Sequence, residues 1–228
     1  MDGYKRFKDR EEAGALLARK LIDFKNDIDA IVLALPRGGV PIGFVIALEL
    51  QKPLDIYLVK KLGVPGQEEL AMGAVSTSGE VSLEKGLIGR LEISDSDLDE
   101  LIAEKQVQLR EREILLRGKR KPVELSGKTI ILVDDGLATG ATMATAIKGI
   151  KKHHPKKIIV AIPVASRESL DLIQKEVDEV ICLLVPDFFY SVSVWYSDFR
   201  QTTDGEVITL LKKSEELLPA GHQSDGYR

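Results

Sequence analysis

The chain has 228 residues, 44% of them hydrophobic and 30% charged, with a formal net charge of −4 and a single cysteine. This is the balance of a globular protein able to bury a substantial core, and it excludes a disordered chain, a collagenous repeat and a disulfide scaffold. The mild acidity argues against a dedicated nucleic-acid binder, and no apolar run approaches the roughly eighteen residues of a membrane span.

Cys182 has no partner for an internal disulfide, which points to a reducing compartment. Residues 1–25 are charged throughout and do not read as a signal peptide. A cytoplasmic location is therefore expected.

In chain order, Asp9 followed by Glu12 reads as a capping box, and Ala13, Leu17, Leu21 and Phe24 recur at helical spacing. The run AIVLAL (30–35) stops at Pro36 and predicts a buried parallel strand. A helix is predicted over 41–50, a second strand over 55–59 and a polar, Gly/Pro-bearing loop over 63–70. Short alternation around Ser78-Gly79 suggests a strand or hairpin within 71–83. A long charged helix covers 97–117. Strand 129–133, helix 140–152, strand 157–162, helix 167–176 and strand 178–185 follow. Strands apolar on both faces and separated by helices give an α/β fold, a mainly parallel twisted sheet flanked by helices. No linker is visible. Residues 1–228 are read as one domain, with 212–228 a polar, flexible tail.

The stretch IILVDDGLATGAT (130–142) carries the most chemistry. An apolar strand runs into Asp134-Asp135, then into a Gly/small/Thr turn, then into a helix. In a parallel sheet, ligands bind where strand C-termini meet helix N-termini. Gly136 to Thr142 can aim successive amides and the Thr139 and Thr142 hydroxyls at one anion, aided by the helix dipole. A phosphate monoester fits such a cradle. The adjacent carboxylates suit a different group, either sugar hydroxyls or a metal ion with its waters. The turn has no lysine and is not a GxxxxGK[ST] loop, nor does GxGxxG follow a strand. LPRGGVPIG (35–43) has the same strand-to-helix form, and Arg37, Gly38 and Gly39 could bring a guanidinium and amides onto a second phosphate group.

VDDGLATGAT (133–142) resembles the signature of the type I phosphoribosyltransferases throughout. The resemblance implies that Asp134 and Asp135 hold the ribose hydroxyls of phosphoribosyl pyrophosphate. Gly136, Leu137, Ala138, Thr139, Gly140, Ala141 and Thr142 would cradle its 5-phosphate. Arg37, Gly38 and Gly39 are similar to the family's pyrophosphate loop, which often carries a strained peptide bond. Lys60 and Lys61 stand where the family places a basic residue, ahead of a mobile lid loop here corresponding to 62–72; either lysine could face the site. Mg2+ would act through substrate and water, with no direct protein ligand, and Asp134, Asp135, Arg37, Lys60 and Lys61 form the implied catalytic set.

Six of the 12 aromatic residues fall between 188 and 199. The family ends in a variable hood over the nucleobase, which would correspond to 185–211. Phe188, Trp195 or Tyr196 could supply a stacking face, and Asp198 and Arg200 edge hydrogen bonds. Ala138 replaces the aspartate of the hypoxanthine-guanine enzymes and PVAS (163–166) lacks their lysine, whereas adenine- and uracil-type members place Ala at the former position. With FKDREEAGALLARKL (7–21), KKLGVPGQEELAMGAV (60–75) and WYSDF (195–199), the chain most resembles the stand-alone branch of the family whose acceptor is unassigned.

The function implied is transfer of ribosyl 5-phosphate to a nitrogen nucleophile of a nucleobase-like acceptor, possible as a homodimer, with no membrane or nucleic-acid partner. The alternative is a regulator that senses the donor without turnover; RGKRK (117–121) is the one basic run that could serve it and otherwise reads as a solvated helix end. Cys182, in an apolar strand, reads as core. His153, His154 and His222 lack ligand-like spacing.

Overall fold

The computed structural model describes residues 6–77 and 79–218. Five parallel strands form the central sheet: β1 (Ala30–Ala34), β2 (Leu54–Ile56), β6 (Thr129–Val133), β7 (Lys157–Val164) and β8 (Glu179–Leu184), in the spatial order β2-β1-β6-β7-β8. An antiparallel ribbon of three strands, β3 (Val59–Val64), β4 (Gln67–Ser76) and β5 (Val81–Leu83), follows β2.

Strands β1, β2, β6 and β7 are buried on both faces and the edge strand β8 is half-buried, which explains the continuous apolar runs of the inner strands. Val32, Ala34, Ile131 and Val133 pack against α1 (Arg10–Lys20), α2 (Gly39–Leu50) and α7 (Asp204–Leu217), in a core that also takes up α4 (Asp95–Arg117). Ile31, Leu33, Ile130 and Leu132 face α5 (Ala141–Lys151) and α6 (Arg167–Ile173) on the other side. A short helix, α3 (Lys85–Arg90), links the ribbon to α4.

Strand order reverses between β1 and β6. The chain leaves β1 toward β2 on one side, and leaves β6 toward β7 and β8 on the other. Their paired C-terminal ends, Ala34 against Val133, open the crevice in which sheets of this type bind ligands. The Leu35 amide still donates to the Val133 carbonyl at 2.9 Å, so the two following loops start side by side.

Three expectations are corrected. The polar loop of 63–70 is a β-hairpin turned at Pro65-Gly66 (Gly66 φ 77°), with Val64 opposite Gln67. Leu62, Val64, Met72 and Ala74 are buried, a period-two pattern that outweighs the turn-forming composition. The expected tail from 212 is helical as far as Leu217, because Val207, Leu211 and Ser214 bury one face of α7 and Thr203 and Glu206 form its capping box; residues 219–228 lie outside those described, as does Ser78 of the predicted turn. Arg117, placed by sequence at a solvated helix end, is buried against Asp55 and Glu113, with its guanidinium also donating to the Ile56 carbonyl. At the start of the chain, the Asp9 side chain caps α1 through the Glu12 amide, as its spacing predicts, while the Glu12 carboxylate accepts from the Lys8 amide instead.

Candidate active site

The loop after β1 and the loop after β6 meet in the crevice. The peptide bond Pro36–Arg37 is cis. Gly38 presses on Asp135: a β-carbon there would lie 1.9 Å from Asp135 Oδ2. Gly39 lies against the Val133 carbonyl, where a β-carbon would come within 2.6 Å. Gly38 excludes a side chain because the Asp135 carboxylate fills the space, and Gly39 because the backbone at Val133 and Asp134 approaches it. Arg37 is half-exposed and its Nη1 lies 3.8 Å from Asp204 Oδ1, at the first turn of α7. Asp204 itself is held in a bidentate pair by Arg112 of α4. These two guanidinium groups hold the Asp204 carboxyl below its usual range.

The acidic pair is half-buried at the end of β6. Asp134 Oδ1 accepts from the Asp135 amide at 2.8 Å. Burial and the neighbouring Asp135 carboxylate push Asp134 well above the ordinary carboxylate range. Burial raises Asp135 too, opposed by Arg10, whose Nε and Nη2 donate to Asp135 Oδ2 at 3.0 and 2.7 Å.

From Gly136 the chain turns toward α5. Gly136 has no room for a β-carbon, which would meet Val192 Cγ1 at 2.6 Å, so the segment after β8 closes directly over the loop. Leu137 is buried and bridges to Ala165. The Ala138 carbonyl accepts from the Ser166 hydroxyl at 2.9 Å and from the Ser169 hydroxyl, which ties the turn to the start of α6. Ala138 and Thr139 are exposed and Thr142 is too. Gly140, at the N-cap of α5, takes the left-handed conformation (φ 73°), and the Thr139 hydroxyl before it accepts from the Ala141 amide at 3.4 Å. The amides and hydroxyls of Thr139 to Thr142 stand at this helix N-terminus, a cradle for an anion once the long Thr139–Ala141 bond gives way.

The remaining expected residues lie elsewhere. Lys60 and Lys61 are neighbours on β3 and point to opposite faces; Lys60 donates to Gln108 Oε1 of α4, and Lys61 is exposed. No hydrogen bond or ion pair among the described residues ties either lysine to loops 35–39 or 134–142. Trp195 and Tyr196, expected as stacking faces, are core residues 6% and 3% exposed, and this corrects the sequence reading. Tyr196 packs against Phe7 and Phe199 and donates its hydroxyl to the Asp135 carbonyl at 2.7 Å; burial and the Asp135 charge raise its phenol. Phe188 is 86% exposed on the segment that covers Gly136, and Tyr190 beside it is 94% exposed. Asp198 and Arg200 are exposed, Arg200 paired with Glu206. Cys182 is half-buried on β8 and packs against the core, with its thiol pushed up to about 11 by burial.

Sequence reasoning missed Arg10, Arg112, Asp204 and the Ser166–Ser169 brace. Each acts across a long sequence separation, and none stands in a local pattern. No described helix is long and apolar enough to cross a membrane.

Comparison with known proteins matches residues 3–200 to the phosphoribosyl transferase domain. A Mycobacterium tuberculosis protein, whose assignment as a phosphoribosyl transferase is provisional, is 36% identical over 210 residues, 92% of this chain and 47% of that protein. The chain thus spans about half the length of this relative. A hypoxanthine/guanine phosphoribosyltransferase of Aciduliprofundum boonei is 26% identical over 162 residues, 71% of this chain and 64% of its own. A crystal structure of a Thermus thermophilus protein superposes with a TM-score of 0.80 at 38% identity, covering 91% of this chain and 98% of that one.

Proposed function

The chain belongs to the phosphoribosyl transferase domain family, and from that premise we propose that it transfers the ribosyl 5-phosphate of phosphoribosyl pyrophosphate to a nitrogen nucleophile of a nucleobase-like acceptor. The single observation that carries this reading is the contact of Gly38 with Asp135, which sets an arginine-bearing loop against a carboxylate pair and the N-terminus of α5. Such an arrangement offers separate places for a pyrophosphate, a ribose and a 5-phosphate.

In this reading, Thr139 to Thr142 receive the 5-phosphate through amides and hydroxyls. Asp134 and Asp135 accept hydrogen bonds from the ribose 2- and 3-hydroxyls. Arg37 and the amides of Gly38 and Gly39 receive the pyrophosphate. The bond from C1 to the pyrophosphate oxygen breaks as the bond from C1 to the acceptor nitrogen forms. The electron pair leaves with pyrophosphate, and the acceptor loses one proton to solvent or to the leaving group. The residues contribute position and charge stabilisation to a sugar cation that must be kept from water.

The pair of adjacent carboxylates, one already bonded to Arg10, fits a Mg2+ ion through its water shell. When bound with the donor, the ion would spread the charge of the departing pyrophosphate. Lys60 and Lys61 lie outside the site geometry described above, and a part for either would require the β3–β4 hairpin to move. Residues 1–228 act as one phosphoribosyltransferase-like domain, with 185–211 covering the acceptor, and of the three rings expected to stack on it Phe188 is the exposed one. We place this chemistry in the cytoplasm.

Incubation with phosphoribosyl pyrophosphate, Mg2+ and a panel of purine and pyrimidine bases, with pyrophosphate release as the readout, tests the reading. Turnover that depends on one base is the expected result. Donor binding with no turnover on any base would overturn it in favour of a donor-sensing regulator.

A further inference from the structure

Asp135 is fixed from two directions by residues at opposite ends of the chain. Arg10, in the first turn of α1, places both Nε and Nη2 on one oxygen, Asp135 Oδ2, while its Nη1 donates to the Arg200 carbonyl at 2.8 Å. Its guanidinium carbon lies 3.9 Å from the centre of the Phe199 ring and 5.9 Å from that of Tyr196. The side chain is 11% exposed, and all three nitrogens are thereby committed. From the other direction, the Tyr196 hydroxyl holds the Asp135 main-chain carbonyl. The two chain segments that carry these groups are joined by the Phe7 amide to the Trp195 carbonyl and by the Ser197 amide to the Phe7 carbonyl, at 2.9 and 2.8 Å.

No other described residue donates a hydrogen bond to the second carboxylate oxygen, Asp135 Oδ1. A carboxylate whose one oxygen is saturated by a stacked, buried guanidinium is held in a single orientation. Its other oxygen then points in a set direction at no further entropic cost when a ligand arrives.

We propose that Arg10 is the positioning residue for the sugar: it orients Asp135 so that Oδ1 accepts from a ribose hydroxyl. Arg10 touches no substrate atom and acts through Asp135 alone. This rests on the reading above, in which the acidic pair receives the ribose.

The role separates from simple bracing of the fold because it depends on hydroxyls of the ligand. The probes are ribose 5-phosphate and its 2,3-dideoxy analogue, titrated by NMR or calorimetry into the wild type and into Arg10→Gln, Arg10→Lys, Asp135→Asn and the double variant Arg10→Gln/Asp135→Asn, each checked by thermal melt. Arg10→Gln is expected to bind ribose 5-phosphate about tenfold more weakly, as loss of charge-assisted hydrogen bonds implies. Arg10→Lys recovers part of that loss. The dideoxy analogue binds wild type and Arg10→Gln alike, and the double variant is no weaker than Asp135→Asn alone.

A folded Arg10→Gln that binds ribose 5-phosphate as the wild type does overturns the proposal. Equal loss for both ligands also overturns it, since bracing alone would produce that. If Arg10→Gln fails to fold, the same two outcomes in Arg10→Lys decide. A wild type that does not distinguish the two ligands, or binds neither, instead removes the ribose-binding reading itself.

Discussion

Gly38 and Asp135, 97 positions apart in sequence, are in such close contact that a single β-carbon on the glycine would fall 1.9 Å from the carboxylate oxygen that Arg10 holds. The contact joins the end of β1 to the end of β6, so the two loops form one surface.

Gly38→Ala is therefore expected to displace Asp135 and break its pair with Arg10. Overpacking of this kind costs about 1–3 kcal/mol. Thermal melts will show that loss, and donor titration will show a larger one, because the carboxylate moves away from its ligand. Unchanged donor affinity in a folded variant would contradict the shared surface.

Asp134 works against the stability of the fold that holds it. Its carboxyl is raised by burial and by Asp135. Between the unfolded value of about 4 and its raised folded value, the folded state therefore holds more protons than the unfolded one, and stability falls as pH rises through that window. Asp134→Asn removes this cost while keeping an acceptor for the Asp135 amide. Its unfolding midpoint at pH 7 is expected to rise by a few degrees, since about 1 kcal/mol moves a chain of this size by roughly 2–4 °C. The gain disappears at about pH 4 and below, and donor affinity falls at the same time. Melts across pH in the wild type and the variant check the sign.

Asp204 competes with any anion for Arg37. Arg112 holds its carboxylate in a bidentate pair, which leaves Arg37 at 3.8 Å as the less committed cation. Asp204→Asn is expected to strengthen inorganic pyrophosphate binding about two- to fivefold, the range of a partly exposed charge pair. Calorimetry measures it. Weaker binding would mean that Asp204 aims Arg37 rather than occupying it.

Phe188, 86% exposed, has no share in the core. Phe188→Ala is expected to leave the melting curve within about 0.5 kcal/mol of wild type. Donor affinity stays unchanged while the acceptor KM rises several-fold, as loss of a stacking ring worth about 0.5–1.5 kcal/mol predicts. Steady-state kinetics with each substrate varied in turn separates the two.

The central sheet was legible because its inner strands are buried on both faces. Thr129–Val133 reads as a continuous apolar run, and the sequence and structural boundaries coincide. The β3–β4 hairpin was obscured by Gly63, Pro65 and Gly66, although Leu62, Val64, Met72 and Ala74 carry the alternation of a strand. Helix α7 had a readable start in Thr203 and Glu206, but its polar composition concealed an amphipathic face.

The sequence by itself determined the order of sheet elements and the two glycine-bearing turns, because both depend on residues adjacent in the chain. It located the aromatic cluster without sorting it, since burial depends on what packs against each ring. Only the tertiary structure placed Trp195 and Tyr196 in the core and left Phe188 outside. Only the tertiary structure paired Arg10 with Asp135 and Arg112 with Asp204, contacts made across 125 and 92 positions that no local pattern encodes.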